Sequence, residues 1–143
     1  MSLELTTISS SYILIVDDLP INLRLLSILL QRNGYQVKTE LSGKTALETI
    51  RANPPDLILL DIMMPEMDGY EVCQQLKALD EFCDIPVIFI SALDDSLNKV
   101  KAFEAGAVDY ITKPFKSEEV LARVKNQLMI SSLQAQLHEK IKN

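Results

Sequence analysis

The sequence predicts an α/β fold: a doubly wound, five-stranded parallel sheet with helices on both faces and an extended C-terminal helix. Three observations carry this. Short apolar runs recur at the spacing of βα units. Two of them, Ile13-Leu14-Ile15-Val16 and Leu57-Ile58-Leu59-Leu60, are continuous rather than alternating, as strands covered on both faces must be. Between the runs lie stretches with apolar residues at i, i+3 and i+4, the stripe of an amphipathic helix. Right-handed crossovers then distribute the helices over both sides of the sheet.

Residues 12–16 form the first strand, and Asp17-Asp18 follow it directly. Pro20 suits the first turn of a helix whose buried stripe is expected from Leu25, Leu26, Leu29 and Leu30, with Gly34 as its stop. Residues 35–40 alternate and carry charge, the pattern of an edge strand. A helix over 43–52 places Ala46, Leu47 and Ile50 inward. Residues 57–60 read as a buried strand ending in Asp61, and Met64-Pro65 through Asp68-Gly69 are the turn signal after it. Asp68 and Glu71 have the spacing of a capping box that opens a helix to about Leu79. Residues 86–90 form the fourth strand and deliver Ser91-Ala92. The next helix is expected from Asp94 to Ala105, with Val100 and Phe103 on its inner face and Gly106 ending it. Residues 108–112 form the fifth strand, leading into Lys113-Pro114-Phe115, and Ser117 starts the last helix. Leu121, Val124 and Leu128 are expected to pack on the domain. The apolar spacing continues through Ile130, Leu133, Leu137 and Ile141, enough for about two heptads of a coiled-coil linker and equally consistent with a solvated overhang.

One domain is expected over residues 11–128, with a disordered or expression-derived leader at 1–10 and a helical extension at 129–143. Apolar residues make up 48% of the chain and charged ones 24%, with a net charge of −6. An acidic surface carries no electrostatic footprint for DNA or RNA. No apolar run reaches the ~20 residues of a membrane span, and the N-terminus lacks the features of a signal peptide. A cytoplasmic location is therefore expected. Cys73 and Cys83 read as two thiols rather than a disulfide, and His138, the only histidine, as solvated helix surface.

Four strand ends carry polar groups: Asp17-Asp18, Asp61, Ser91 and Lys113. In a parallel sheet all four share the edge where ligands collect. The chemistry that suits them is phosphoryl transfer to a carboxylate, with Asp61 as nucleophile. Three carboxylates repel each other and an anionic donor alike, and a divalent cation relieves both. Mg²⁺, with Mn²⁺ as a substitute, takes oxygen ligands. Asp18 and Asp61 would bind it directly, Asp17 directly or through water, and the backbone carbonyl of Met63 would complete the set. Lys113 would meet the phosphoryl oxygens, and the Ser91 hydroxyl would donate a hydrogen bond to them.

Through Ile13-Leu14-Ile15-Val16-Asp17-Asp18, Leu59-Leu60-Asp61 with Met64-Pro65 and Asp68-Gly69, Ser91-Ala92 and Lys113-Pro114-Phe115, the sequence resembles the receiver domain of two-component response regulators over residues 12 to about 128. The resemblance implies the flavodoxin-like strand order 2-1-3-4-5, an order for which the chemotaxis receiver is an established example. It implies a phosphorylation-dependent switch in which Asp61 accepts a phosphoryl group from a histidine kinase or phosphotransfer protein, with a cis Lys113-Pro114 bond. Tyr110 matches the family's switch aromatic and Ser91 its partner hydroxyl, so phosphorylation would remodel the surface of the fourth helix, fifth strand and fifth helix. Met63 and Leu93 match the positions that meet the hydrolytic water. Both are apolar, so a long-lived phosphorylated state is expected. An output domain beyond the extension and a homodimer are further expectations. Two alternatives stay open here. One is a phosphohydrolase of the haloacid dehalogenase type, which normally has a second Asp where this chain has Met63. The other is a receiver-like interaction module that takes no phosphate.

Overall fold

The computed structural model describes residues 11–92 and 98–142, without the side chains of 98–99 and 138–142. Within them strands and helices alternate: β1 (Ile13–Val16), α1 (Pro20–Arg32), β2 (Val37–Glu40), α2 (Gly43–Ala52), β3 (Leu57–Asp61), α3 (Gly69–Lys77), β4 (Val87–Ala92), α4 (Asn98–Glu104), β5 (Asp109–Lys113) and α5 (Ser117–Lys142). The strands pair in parallel in the order β2-β1-β3-β4-β5, the expected topology. Charged β2 takes one edge of the sheet, where its alternating side chains are half-buried or exposed.

Because successive strand residues point to opposite faces, each buried strand supplies both cores. Ile13, Ile15, Leu57, Leu59, Ile88, Ile90 and Ile111 pack with Leu23, Leu26 and Leu30 of α1 and Val120 and Val124 of α5. Leu14, Val16, Ile58, Leu60, Val87, Phe89 and Tyr110 pack on the other side with α2, α3 and α4. Leu121 and Leu128 are partly buried against the first of these cores, in keeping with the expectation for the start of α5.

Helix ends follow the sequence signals. Pro20 begins α1, and Gly34 (φ +91°) ends it as Tyr35 N–H donates to Leu30 O and Gly34 N–H to Gln31 O, a glycine stop in the left-handed region. Gly106 (φ +107°) plays the same part after α4. The Asp68 side chain accepts from Glu71 N–H at 2.9 Å while the Glu71 side chain accepts from Asp68 N–H at 3.2 Å, completing the capping box. Both cysteines are free thiols.

The structure corrects the inner faces of two helices. Leu25 is half exposed, and Leu23 fills the place expected for it. On α4, Val100 and Phe103 point outward, Phe103 being 55% exposed, while Ala102 and Ala105 are buried. The cause is packing: over its described residues α4 joins the core that holds Phe89 and Tyr110 through its smallest side chains and leaves the bulky ones outside. Boundaries also shift, with β2 starting at Val37, α3 ending at Lys77, and β4 and β5 running to Ala92 and Lys113. The expected start of α4 at Asp94 and the role given to Leu93 lie outside the described residues, as does the side chain of His138. The extension is helical through Lys142, with Met129, Leu133 and Leu137 exposed. Among the described residues no helix is long and apolar enough to cross a membrane.

Ala102→Leu is expected to destabilise the protein by about 1–3 kcal/mol through overpacking, whereas Phe103→Ala should change stability by less than about 0.5 kcal/mol. Urea unfolding of the two variants beside the parent chain measures both.

Candidate functional site

Strand register assembles the site. Val16 lies opposite Leu60, so Asp17 emerges from β1 beside Asp61, the last residue of β3. Asp61 pairs with Ile90, Ser91 with Thr112 and Ala92 with Lys113. The residues singled out from sequence at four strand ends therefore meet at one edge.

Asp17, Asp18 and Asp61 each offer a carboxylate oxygen, and these atoms lie within 4.8 Å of one another. Asp17 and Asp61 are buried, and Asp18 is half-buried. Lys113 Nζ reaches both buried carboxylates, at 3.2 Å from Asp61 Oδ1 and 3.4 Å from Asp17 Oδ2. Asp17 is held further by Leu19 N–H, which donates to Oδ1 at 2.9 Å, and by Asn22 Nδ2, which donates to Oδ2 at 3.1 Å.

Burial, with the Asp17 carboxylate close by, pushes the Asp61 carboxyl from its ordinary 3.8 up to about 6, and Lys113 offsets only part of this. For Lys113, burial works against the charge, but the Asp61 and Asp17 carboxylates prevail and its ammonium is held above the usual lysine range. The cluster thus carries more negative charge than one lysine neutralises. All of its acidic donors are oxygens, the donor chemistry of a hard divalent cation. Ser91 Oγ is buried without a hydrogen-bond partner among the described residues, a donor in want of an acceptor.

The loop after β3 is fixed by backbone geometry. Met67 N–H donates to Pro65 O at 2.8 Å across Glu66, whose φ of +69° lies in the left-handed region. Gly69 N–H then donates to Ile62 O at 2.9 Å, and a Cβ on Gly69 would stand 2.5 Å from the Asp61 carbonyl oxygen. Only glycine lets α3 begin this close to the strand that carries Asp61. Met63, two residues after Asp61, is 67% exposed. Tyr110 is already buried (8% exposed) on the α4 side, opposite Phe89 in the strand register. The Lys113-Pro114 bond is cis, as expected. A cavity of about 480 Å³, lined by Asn22, Leu25, Ala92, Lys113, Pro114 and Phe115, adjoins the cluster.

Sequence reasoning missed two participants. Gly69 was read as a turn residue, with no signal that its Cα abuts Asp61. Asn22 went unremarked, although an amide in the first turn of α1, five residues after Asp17, was a usable sign.

A family model described as response regulator receiver domain matches residues 13–125. The chain is 44% identical over 117 residues to the response regulator PleD of Caulobacter vibrioides, covering 82% of this chain and 26% of that protein. It is 44% identical over 123 residues to the alkaline phosphatase synthesis transcriptional regulatory protein PhoP of Bacillus subtilis, covering 86% of this chain and 50% of that one. The chain thus spans about a quarter to a half of the length of these relatives. Among solved structures, the signal receiver domain of a signal transduction histidine kinase from Syntrophus aciditrophicus superposes with a TM-score of 0.78 at 40% identity, covering 82% of this chain and 89% of that one.

The raised Asp61 pKa has a stability consequence. The folded state holds this proton more tightly than the unfolded chain does, so the group's contribution is full below about pH 4 and is lost as pH rises through about 6. A shift of about two units corresponds to about 3 kcal/mol. In EDTA, Asp61→Asn is expected to be more stable than the parent at pH 7.5 by about 1–3 kcal/mol, with the gap closing towards pH 4.5. Urea denaturation across that range checks it; a gap that widens on acidification would contradict it.

Proposed function

The chain belongs to the response regulator receiver domains, which are phosphorylation-dependent signalling switches, and on that premise we propose that Asp61 is the phosphoacceptor, working with Lys113, Ser91 and a Mg²⁺ ion held by Asp17, Asp18, Asp61 and the Met63 carbonyl. The donor is a histidine kinase or phosphotransfer protein. The family match leaves the dehalogenase-type alternative without support.

An Asp61 carboxylate oxygen forms a bond to phosphorus as the bond from phosphorus to the donor's imidazole nitrogen breaks, and the electron pair leaves with the imidazole. Lys113, now shared between two carboxylates, turns to the incoming phosphoryl oxygens, which carry more charge. Ser91, whose hydroxyl is buried and unpartnered among the described residues, donates to the same group. When bound, Mg²⁺ supplies the positive charge that the cluster lacks. The observation that carries this reading is the pairing of Lys113 with a carboxylate of raised pKa beside that Ser91 hydroxyl.

The output follows from Tyr110 and α4. Tyr110 already lies inward, so a phosphoryl group that draws Ser91 towards Asp61 acts by holding the ring there, biasing an existing equilibrium of the α4–β5–α5 surface. Autophosphorylation and autodephosphorylation are then the only reactions the domain catalyses. The apolar, exposed Met63 cannot orient a hydrolytic water, which favours a long-lived phosphoaspartate. Residues 129–142 serve as a helical link to an output module, with pairing between two copies through Ile130, Leu133 and Leu137.

Incubation with acetyl phosphate and Mg²⁺ should add one phosphoryl group by intact mass, absent in Asp61→Asn and in EDTA. No adduct on the folded parent chain, together with failure to bind beryllofluoride, would overturn the assignment. Removal of residues 130–143 should weaken self-association in sedimentation and leave phosphorylation unchanged. Equal sedimentation of the two forms would remove the pairing.

A further inference from the structure

We propose that Asn22 is a positioning residue of the metal site: its amide holds the Asp17 carboxylate in place through the part of the cycle in which Lys113 is engaged elsewhere. This rests on the metal-dependent reading above. Asp17 Oδ2 has two donors, Asn22 Nδ2 at 3.1 Å and Lys113 Nζ at 3.4 Å. The lysine is a shared and movable partner, being also 3.2 Å from Asp61 Oδ1. Once it turns to phosphoryl oxygens, Asn22 remains on Oδ2 and Leu19 N–H on Oδ1.

Both retained contacts come from the start of one helix, so their geometry is rigid. Leu19 is the N-cap residue of α1 and has no side-chain cap bond, Pro20 opens the helix, and Asn22 N–H donates to Leu19 O at 3.1 Å. The Asp17 carboxylate is thus clamped by the first turn of α1. Its other lone pairs stay available, since a carboxylate accepts about four hydrogen bonds or metal contacts. The choice of residue fits the task. A Glu or Asp, often favoured in a first helical turn, would place a fourth negative charge beside Asp17, Asp18 and Asp61. A Leu would leave Oδ2 dependent on the lysine alone. The amide orientation is set by chemistry, because an ionised carboxylate accepts only and must face the NH₂ group. Asn22 also lines the cavity beside the cluster together with Lys113.

Mn²⁺ is the probe, with the free ion counted by electron paramagnetic resonance on the whole chain. Partners that orient metal ligands typically contribute 10- to 100-fold in affinity. Asn22→Leu is expected to bind Mn²⁺ at least about tenfold more weakly. Asn22→His, whose Nδ1–H can stand near the amide nitrogen, should recover part of the loss. With acetyl phosphate, the Mg²⁺ concentration for half-maximal phosphorylation should rise in Asn22→Leu while the rate at saturating Mg²⁺ stays near that of the parent. Urea unfolding in EDTA reports whether each variant is folded, and the His variant keeps the test open if the Leu variant is not. Equal Mn²⁺ affinity in the parent and a folded Asn22→Leu would overturn the role of Asn22 and leave the site reading intact. Failure of the parent itself to bind Mn²⁺ would overturn the metal-site reading and this inference with it.

Discussion

Three carboxylates held at one end of a buried sheet are the constraint on which the rest of this structure depends. Asp17 and Asp61 are buried, Asp18 is beside them, and Lys113 is shared between two of the three. In solvent such groups would move apart. Here β1 and β3 are locked in register by their hydrogen bonds and by apolar side chains on both faces, so the charges stay together and Asp61 resists ionisation. On the proposed function this cost in stability would make the site responsive: a bound cation would change the charge balance, whereas the same carboxylates on a surface loop would hardly register it.

The backbone after β3 serves that constraint. Glu66 occupies the left-handed region inside a three-residue turn, at a cost of about 1–3 kcal/mol. Gly69 brings the start of α3 against the Asp61 carbonyl, and the capping box between Asp68 and Glu71 fixes where the helix begins. A displacement of the Asp61 backbone is therefore passed to α3 through contact. On the opposite side of the cluster, α1 holds Asp17 through Leu19 and Asn22. The site is gripped by two helix starts, those of α1 and α3.

Helix α4 contrasts with those two. It meets the core through Ala102 and Ala105 and turns Val100 and Phe103 to the outside. Small residues interdigitate little with the core that holds Phe89 and Tyr110, so relocation of α4 would cost less than relocation of a helix anchored by leucines. On the proposed function, this is the element whose position an event at Asp61 would change.

By itself the sequence determined the alternation of strands and helices, the helix ends at Gly34, Gly106 and Asp68, and the polar residues at the strand ends. Each of these is a local property of composition, periodicity or turn chemistry. The strand order entered through resemblance, because periodicity does not say which strands are neighbours. Tertiary structure alone decided which face of α4 is buried, since Val100 and Phe103 match a helical stripe as well as Ala102 and Ala105 do. Only the way α4 packs on the core that holds Phe89 and Tyr110 chooses between them. It also decided that Gly69 abuts Asp61 and that Asn22 reaches Asp17, contacts set by how helices dock on strand ends. The residues of the candidate site were legible because they stand as polar groups at particular ends of strands. Its support was not, because a glycine or an amide gains its role only from what the fold places beside it.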